Sequence, residues 1–201
     1  MIIKNHFTAE ISQTMSTNTP ELPWVIDGLD CQRSMTATQA IHDGSADKLR
    51  HLLPGLLYHS TNPQKTQDSL LIHAMGASSA QSNRKRKLEI SEYLLRAGAD
   101  PDADLNGVPV AFIAARRFTY MLDASMPGEG SMETPMRENI LLLKKFGADL
   151  SRTANGVNLQ DHVRYVLRDT LLRGRLTSMF VANLIKMPRE IKKPLTSKQT
   201  P

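Results

Sequence analysis

A single cysteine, Cys31, stands in 201 residues, so no disulfide can form within the chain and the fold must be held by packing. Aromatic residues make up only 5%, which argues against a sheet sandwich built on β-branched and aromatic alternation. No apolar run approaches the ~20 residues that cross a bilayer. The N-terminus lacks the charged start, apolar stretch and small-residue cleavage site of a secretory leader. These absences predict a cytoplasmic protein without a membrane span.

Chemistry-bearing motifs are equally scarce. His6, His42, His51, His59, His73 and His162 show no metal-ligand spacing with Cys or carboxylates. Pro127-Gly128-Glu129-Gly130-Ser131 lacks the Lys-Ser/Thr that completes a phosphate-binding loop. Cys31 could be imagined with His42, His51 or His59 as nucleophile and base, but no oxyanion motif accompanies it and a spare cysteine is the plainer reading. The expectation is a protein with no catalytic residue, no metal and no cofactor.

What is present is a core of Leu, Ile, Val, Ala and 10 Met, within 40% hydrophobic content. That suits stacked helices. The formal charge of +5 is unevenly placed: residues 186–201 carry +4 and Arg84-Lys85-Arg86-Lys87 another +4, leaving the remainder at −3. An acidic body without aromatics interleaved among basic residues makes nucleic acid an improbable partner. The basic run reads as a nuclear import address, a nucleic-acid contact or a solvated loop, the last being the plainest.

One phrase occurs twice. Arg96-Ala97-Gly98-Ala99-Asp100, running on to Asn106-Gly107, returns as Lys145-Phe146-Gly147-Ala148-Asp149, running on to Asn155-Gly156, with the same nine-residue step between first and last glycine. Each copy follows an apolar helical run, Ile90 to Leu95 and Ile140 to Leu143, so Gly98 and Gly147 read as left-handed helix caps. The Asn-Gly pairs, with Gly107 and Gly156, then turn the chain into the next helix. Asp43-Gly44 is a further tight turn, with Leu52 and Leu53 eight and nine residues after the glycine, a spacing that resembles the turn glycine and paired leucines of the ankyrin consensus.

Leu-Leu-x-x-Gly-Ala-Asp followed by a polar stretch and Asn-Gly resembles the ankyrin repeat. The resemblance implies an all-α solenoid of about four helix-turn-helix units over residues 36–186. The units fall at about 36–67, 68–105, 106–154 and 155–186. A flexible N-terminal segment (1–20) and a short cap (21–35, with Trp24, Val25, Ile26 and Leu29) precede the repeats, and a basic tail (187–201) follows. In unit one, Thr36 to Ile41 is the inner helix and Ala46 to Leu53 the outer one, ending at Pro54-Gly55. Unit two opens at Asp68, with Leu70 and Ile72 where the family has Pro and His, and residues 77–87 are inserted before its outer helix. Pro109 falls in the first turn of the third inner helix. The glycines 98 and 147 are 49 residues apart against a family period of about 33, which places an insertion at Phe118 to Pro135. The last unit reads as helices Leu159 to Leu172 and Arg175 to Lys186.

The resemblance implies a non-catalytic, monomeric module that binds another protein through hairpin tips and the inner-helix face. On one tip that selects Asp102, Asp104 and Asn106, which turn chemistry alone would equally explain, and on the next Arg152, Thr153 and Asn155. Arg116 and Arg117 come from an inner helix, while Asp100 and Asp149 read as structural. The insertion, with Tyr120, Met121 and Met126 in a Met-rich stretch, is either a specificity element or a tolerated loop. A second expectation is a secreted bacterial effector, because the Ser/Thr/Asn-rich stretch Thr14 to Thr19 resembles an unstructured secretion leader. Such a protein could carry an unrecognised enzymatic activity and would act inside a host cell.

Overall fold

A computed structural model describes residues 26–76, 84–116, 133–166 and 171–187. The 1–20 segment, Trp24 and Val25 of the cap, Arg117, Tyr120, Met121, Met126 and the tail after Met187 lie outside the described residues. Eight helices are seen within them: α1 Cys31–His42, α2 Ala46–Tyr58, α3 Pro63–Gly76, α4 Arg84–Arg96, α5 Val110–Arg116, α6 Glu133–Lys145, α7 Leu159–Val166 and α8 Leu171–Lys186. The strands are two residues each: β1 Asp104–Leu105 with β2 Val108–Pro109, and β3 Thr153–Ala154 with β4 Val157–Asn158. The all-α reading holds at this level, since most of these residues are helical.

The helices alternate between two rows. The odd members touch in the order α1, α3, α5, α7 and the even members in the order α2, α4, α6, α8, while each odd helix also packs on the even helix that follows it. We call these the inner and outer rows. Between them lies one continuous core, whose fully buried members include Ile41, Leu49, Leu70, Leu71, Met75, Ile90, Leu94, Ile140, Leu143 and Leu159.

The glycine caps follow from φ. Gly44, Gly98 and Gly147 adopt φ of +68°, +110° and +96°. In each case the residue after the glycine donates its N–H to the carbonyl five residues back: Ser45 to Ala40, Ala99 to Leu94 and Ala148 to Leu143, at 3.0, 3.0 and 3.1 Å. The glycine itself donates to the carbonyl three back, which is the Schellman ending of a helix. Three helices therefore stop by the same device.

Several helix bounds differ from the sequence reading. α1 begins at Cys31 rather than Thr36, because the Asp30 side chain caps it by accepting the Arg33 N–H at 2.8 Å; Cys31 is thus the exposed first residue of a helix. α2 does not end at Pro54-Gly55 but continues to Tyr58. Leu49, Leu53 and Leu56 keep a buried stripe through the proline, whose own position faces solvent. α3 opens at Pro63, five residues before Asp68: Asn62 caps it by accepting the Lys65 N–H at 3.1 Å, and a proline at the first helical position has no hydrogen bond to lose.

The basic run Arg84 to Lys87 is the first turn of α4 and not a loop. Lys87, 4% exposed, falls on the same stripe as Ile90, Ser91 and Leu94, where its alkyl stem can be covered. Likewise, Glu133 to Pro135 belong to α6. Pro135 sits in the first helical turn, where an N–H would have no acceptor within the helix. Pro109 is in β2 rather than in α5. It stands opposite Asp104, a position that exchanges no ladder hydrogen bonds, and the ladder resumes one residue on with Val110 N–H to Ala103 O at 2.8 Å. The last pair is Leu159–Val166 and Leu171–Lys186, so the second helix includes Leu171 to Gly174, ahead of the Arg175 start in the sequence reading, while residues 167–170 lie outside the described residues.

Candidate partner-binding face

The two copies of the repeated phrase fold into two hairpins of one design. Asn106-Gly107 has φ of +54° and +79°, and Asn155-Gly156 +51° and +77°. Both central residues are left-handed, as a two-residue type I′ turn requires, and Asn is the side-chain-bearing residue that tolerates this best. Leu105 pairs with Val108 in one hairpin and Ala154 with Val157 in the other. Strand β2 of the first lies against β3 of the second. The tips consequently stand side by side.

Carboxylates tie these tips to each other and to the inner row. The Asp100 side chain accepts its own tip's Asp102 N–H at 2.8 Å, and Asp149 does the same for Ser151 at 3.1 Å. This is the structural role expected of both. Across the gap between tips, Asp102 Oδ1 accepts the Asp149 N–H at 2.6 Å. Asp68, on α3, accepts the Asp100 N–H at 2.8 Å. One unit thus holds the Gly-Ala-Asp backbone of the next by the same bond, made from different places in the sequence.

Arg152 adds to the joint. Its guanidinium donates to the Asp102 carbonyl and pairs with Asp104 at 3.3 Å. The other Asp104 oxygen accepts the Gly107 N–H at 3.1 Å. Asp102, Asp104 and Arg152, expected to face a partner, are therefore engaged within and between the tips. Asn106 and Asn155 hold the turns through their backbone while their side chains face solvent, with Thr153 also exposed. The structure brings the tip residues together as one surface. Residues 70–75 of α3 and 110–115 of α5 are all buried, and the side chains of Arg116 and Arg117, expected on the inner-helix face, lie outside the described residues. Arg116 ends α5.

Residues that the sequence reading did not single out complete the scaffold. Gln67 and Gln64 of α3 donate to the Ala97 and Gly98 carbonyls at 3.0 and 3.1 Å, satisfying the open end of α4. Burial raises the Asp68 carboxyl above its ordinary range, opposed by the bond from Asp100 N–H. Near the first unit, Gly28 at φ +84° is surrounded: a Cβ there would meet Ser60 Oγ at 2.6 Å and Thr66 Oγ1 at 2.8 Å. Thr66 Oγ1 donates to the Asp27 carbonyl at 2.6 Å, so this early turn is clamped as the later tips are. The Asn-Pro pair at 62–63 was a legible signal; nothing in the sequence marked the two glutamines.

No protein-family model matches the chain, and neither a curated protein nor a solved structure matches it. The likeness to ankyrin repeats rests on the chain's own residues.

Elsewhere, a cleft of about 470 Å³ lies between α1 and α2, lined by Asp30, Arg33, Thr36, His51, Leu52 and His59. It is open to solvent, and Asp30 and Arg33 in its wall are paired with each other. The bond from the Arg33 N–H holds the Asp30 carboxyl below its usual range. Among the described residues no group of three or more His, Cys, Asp and Glu could hold a metal ion, and no helix is long and apolar enough to cross a membrane.

Proposed function

We propose that the chain is an ankyrin-type solenoid that binds a partner protein across its hairpin tips, acting in the cytoplasm as a monomer without catalysis or cofactor. The observation that carries this reading is the pair of identically built type I′ hairpins standing side by side, each held by a carboxylate of the unit before it. A partner meeting such a surface orders little of it, so little entropy is lost on docking. The α1–α3–α5–α7 and α2–α4–α6–α8 rows support the solenoid half of the proposal, because among the described residues the main contacts run within a unit or between adjacent units.

In this reading, Asp102, Asp104 and Arg152 are positioning residues that set the spacing of the tips. Contact falls to the outward side chains of Asn106, Thr153 and Asn155, with specificity added by the insertion between α5 and α6. Capture from a cell lysate tests this with three baits: wild type, Thr153→Arg, and a version with residues 120–132 removed. Loss of the same partner from both variants, with helical content unchanged by circular dichroism, is the expected result. A partner retained by both would remove the tips and the insertion from the proposal.

A further inference from the structure

The alternation of helices sorts charge in a way the linear sequence hides. The four outer helices together hold thirteen Lys and Arg against five Asp and Glu, whereas the inner helices hold four against two. The first tip, residues 97–109, carries Asp100, Asp102 and Asp104 and no base. Basic charge is therefore concentrated on one side of the molecule. Lys48, Arg50, Arg86, Arg96, Lys145 and Lys186 are all exposed there.

The same row bears apolar side chains that packing does not use. Tyr58 of α2 is 84% exposed, Leu141 of α6 50%, Met179 of α8 61%, and Met187, directly after α8, 55%. Among the described residues, Met35 is the other large hydrophobic so exposed, and it belongs to α1. Leu141 and Lys145 are one turn apart on the outward stripe of α6, so apolar and cationic groups alternate on one surface.

We propose that this outer face docks peripherally on an anionic lipid bilayer. Phosphodiester headgroups complement the exposed cations of the row, Lys48, Arg50, Arg86, Arg96, Lys145 and Lys186, within the roughly 8–10 Å over which exposed charges act at physiological salt. Leu141, Met179 and Met187 then insert among the acyl boundaries, as on an interfacial amphipathic surface. The aliphatic groups decide against nucleic acid. They give a sugar-phosphate backbone nothing, and base stacking would require several aromatic rings, where the outward residues offer Tyr58 at the far end of α2. The inference is independent of the tip-binding proposal, since it uses the opposite row.

Co-sedimentation of the full chain with phosphatidylcholine vesicles containing roughly 30% phosphatidylserine, in about 0.1 M salt, tests it. Binding to these vesicles, none to pure phosphatidylcholine vesicles and loss near half-molar salt are expected. With the basic tail intact, Lys48→Glu combined with Arg86→Glu lowers the partition about tenfold or more, and Leu141→Asp lowers it several-fold. All three positions are exposed, and circular dichroism checks that each variant folds. Absence of vesicle binding overturns the proposal. So does binding unchanged in the charge-reversal and Leu141 variants, or tighter binding to a duplex DNA oligomer than to the vesicles at the same salt.

Discussion

At Gly98 the left-handed conformation is required by the cap and not by crowding. A Cβ there would find only Gln67 Oε1, at 3.6 Å. Gly98→Val therefore costs on the order of 1 kcal/mol or more through backbone strain alone. Gly28 combines the same strain with two contacts under 3.0 Å, so Gly28→Ala should cost more, about 2 kcal/mol or above, despite the smaller side chain. Urea unfolding compares the two; equal midpoints for wild type and Gly98→Val would refute the cap geometry. Asp68 permits a finer test. Its carboxyl is raised by burial, so folding binds its proton more readily than the unfolded chain does, and the ionised form is the costly one. That cost is present at neutral pH and fades as pH falls through the folded value toward the ordinary 3.8. Asp68→Asn keeps the acceptor for Asp100 N–H without the charge and should stay within about 0.5 kcal/mol of wild type or exceed it at pH 7. Asp68→Ala, which leaves that N–H without its acceptor, should lose about 1 kcal/mol.

At the scale of elements, α2 is notable for running through a proline. Pro54 supplies no N–H to Arg50, and its ring crowds the preceding turn, yet Leu53 and Leu56 are 3% and 4% exposed on either side of it. Tertiary burial has overridden the local stop signal, and the sequence reading went wrong here for that reason. Pro54→Ala should accordingly stabilise the protein by about 1 kcal/mol or more, the helix gain being partly offset by a freer unfolded chain. A lowered melting temperature would contradict it. The glycine caps and Asn-Gly turns, by contrast, were legible from sequence, because a left-handed residue leaves a local chemical mark. Burial leaves no such mark, so the helical start of α4 at Arg84 and the buried stretches 70–75 of α3 and 110–115 of α5 were not legible.

Between neighbouring outer helices, Glu92 of α4 accepts Arg96 at 2.8 Å and Lys145 of α6 at 3.3 Å. The bond from Arg96 is the main reason its carboxyl lies below the ordinary value, with Lys145 adding to it. A lowered folded value means stability present above the unfolded 4.5 and lost as pH falls through the folded one. Because Glu92 is 32% exposed, solvent screening keeps the contribution under about 1 kcal/mol. Glu92→Gln should be destabilised by that amount at pH 7 and converge on wild type in acid, the opposite trend to Asp68.

For the whole molecule, the arrangement of rows predicts where stability resides. α3 is packed by α1 and α5 on its two flanks and by α4 behind, and α5 likewise by α3, α7 and α6. Both have continuous six-residue stretches without an exposed member. α8 has neighbours on one side of the outer row only, α6, besides its own partner α7, and Met179, Asn183 and Lys186 face water. Lys144 braces its end by donating to the Met187 carbonyl at 2.8 Å. Where the main contacts among the described residues run between adjacent units, local openings start at the ends and cost less there than in the middle. Amide exchange should therefore be slowest in α3 and α5 and faster in α8 by about two orders of magnitude, a difference of roughly 3 kcal/mol in opening free energy. Lys144→Met, which keeps the buried stem and removes the bond to Met187, should widen the gap by accelerating α8 alone. Uniform protection from α1 to α8, or acceleration of α3 by that substitution, would mean that the chain opens as one globule and that the row-by-row description of its packing is wrong.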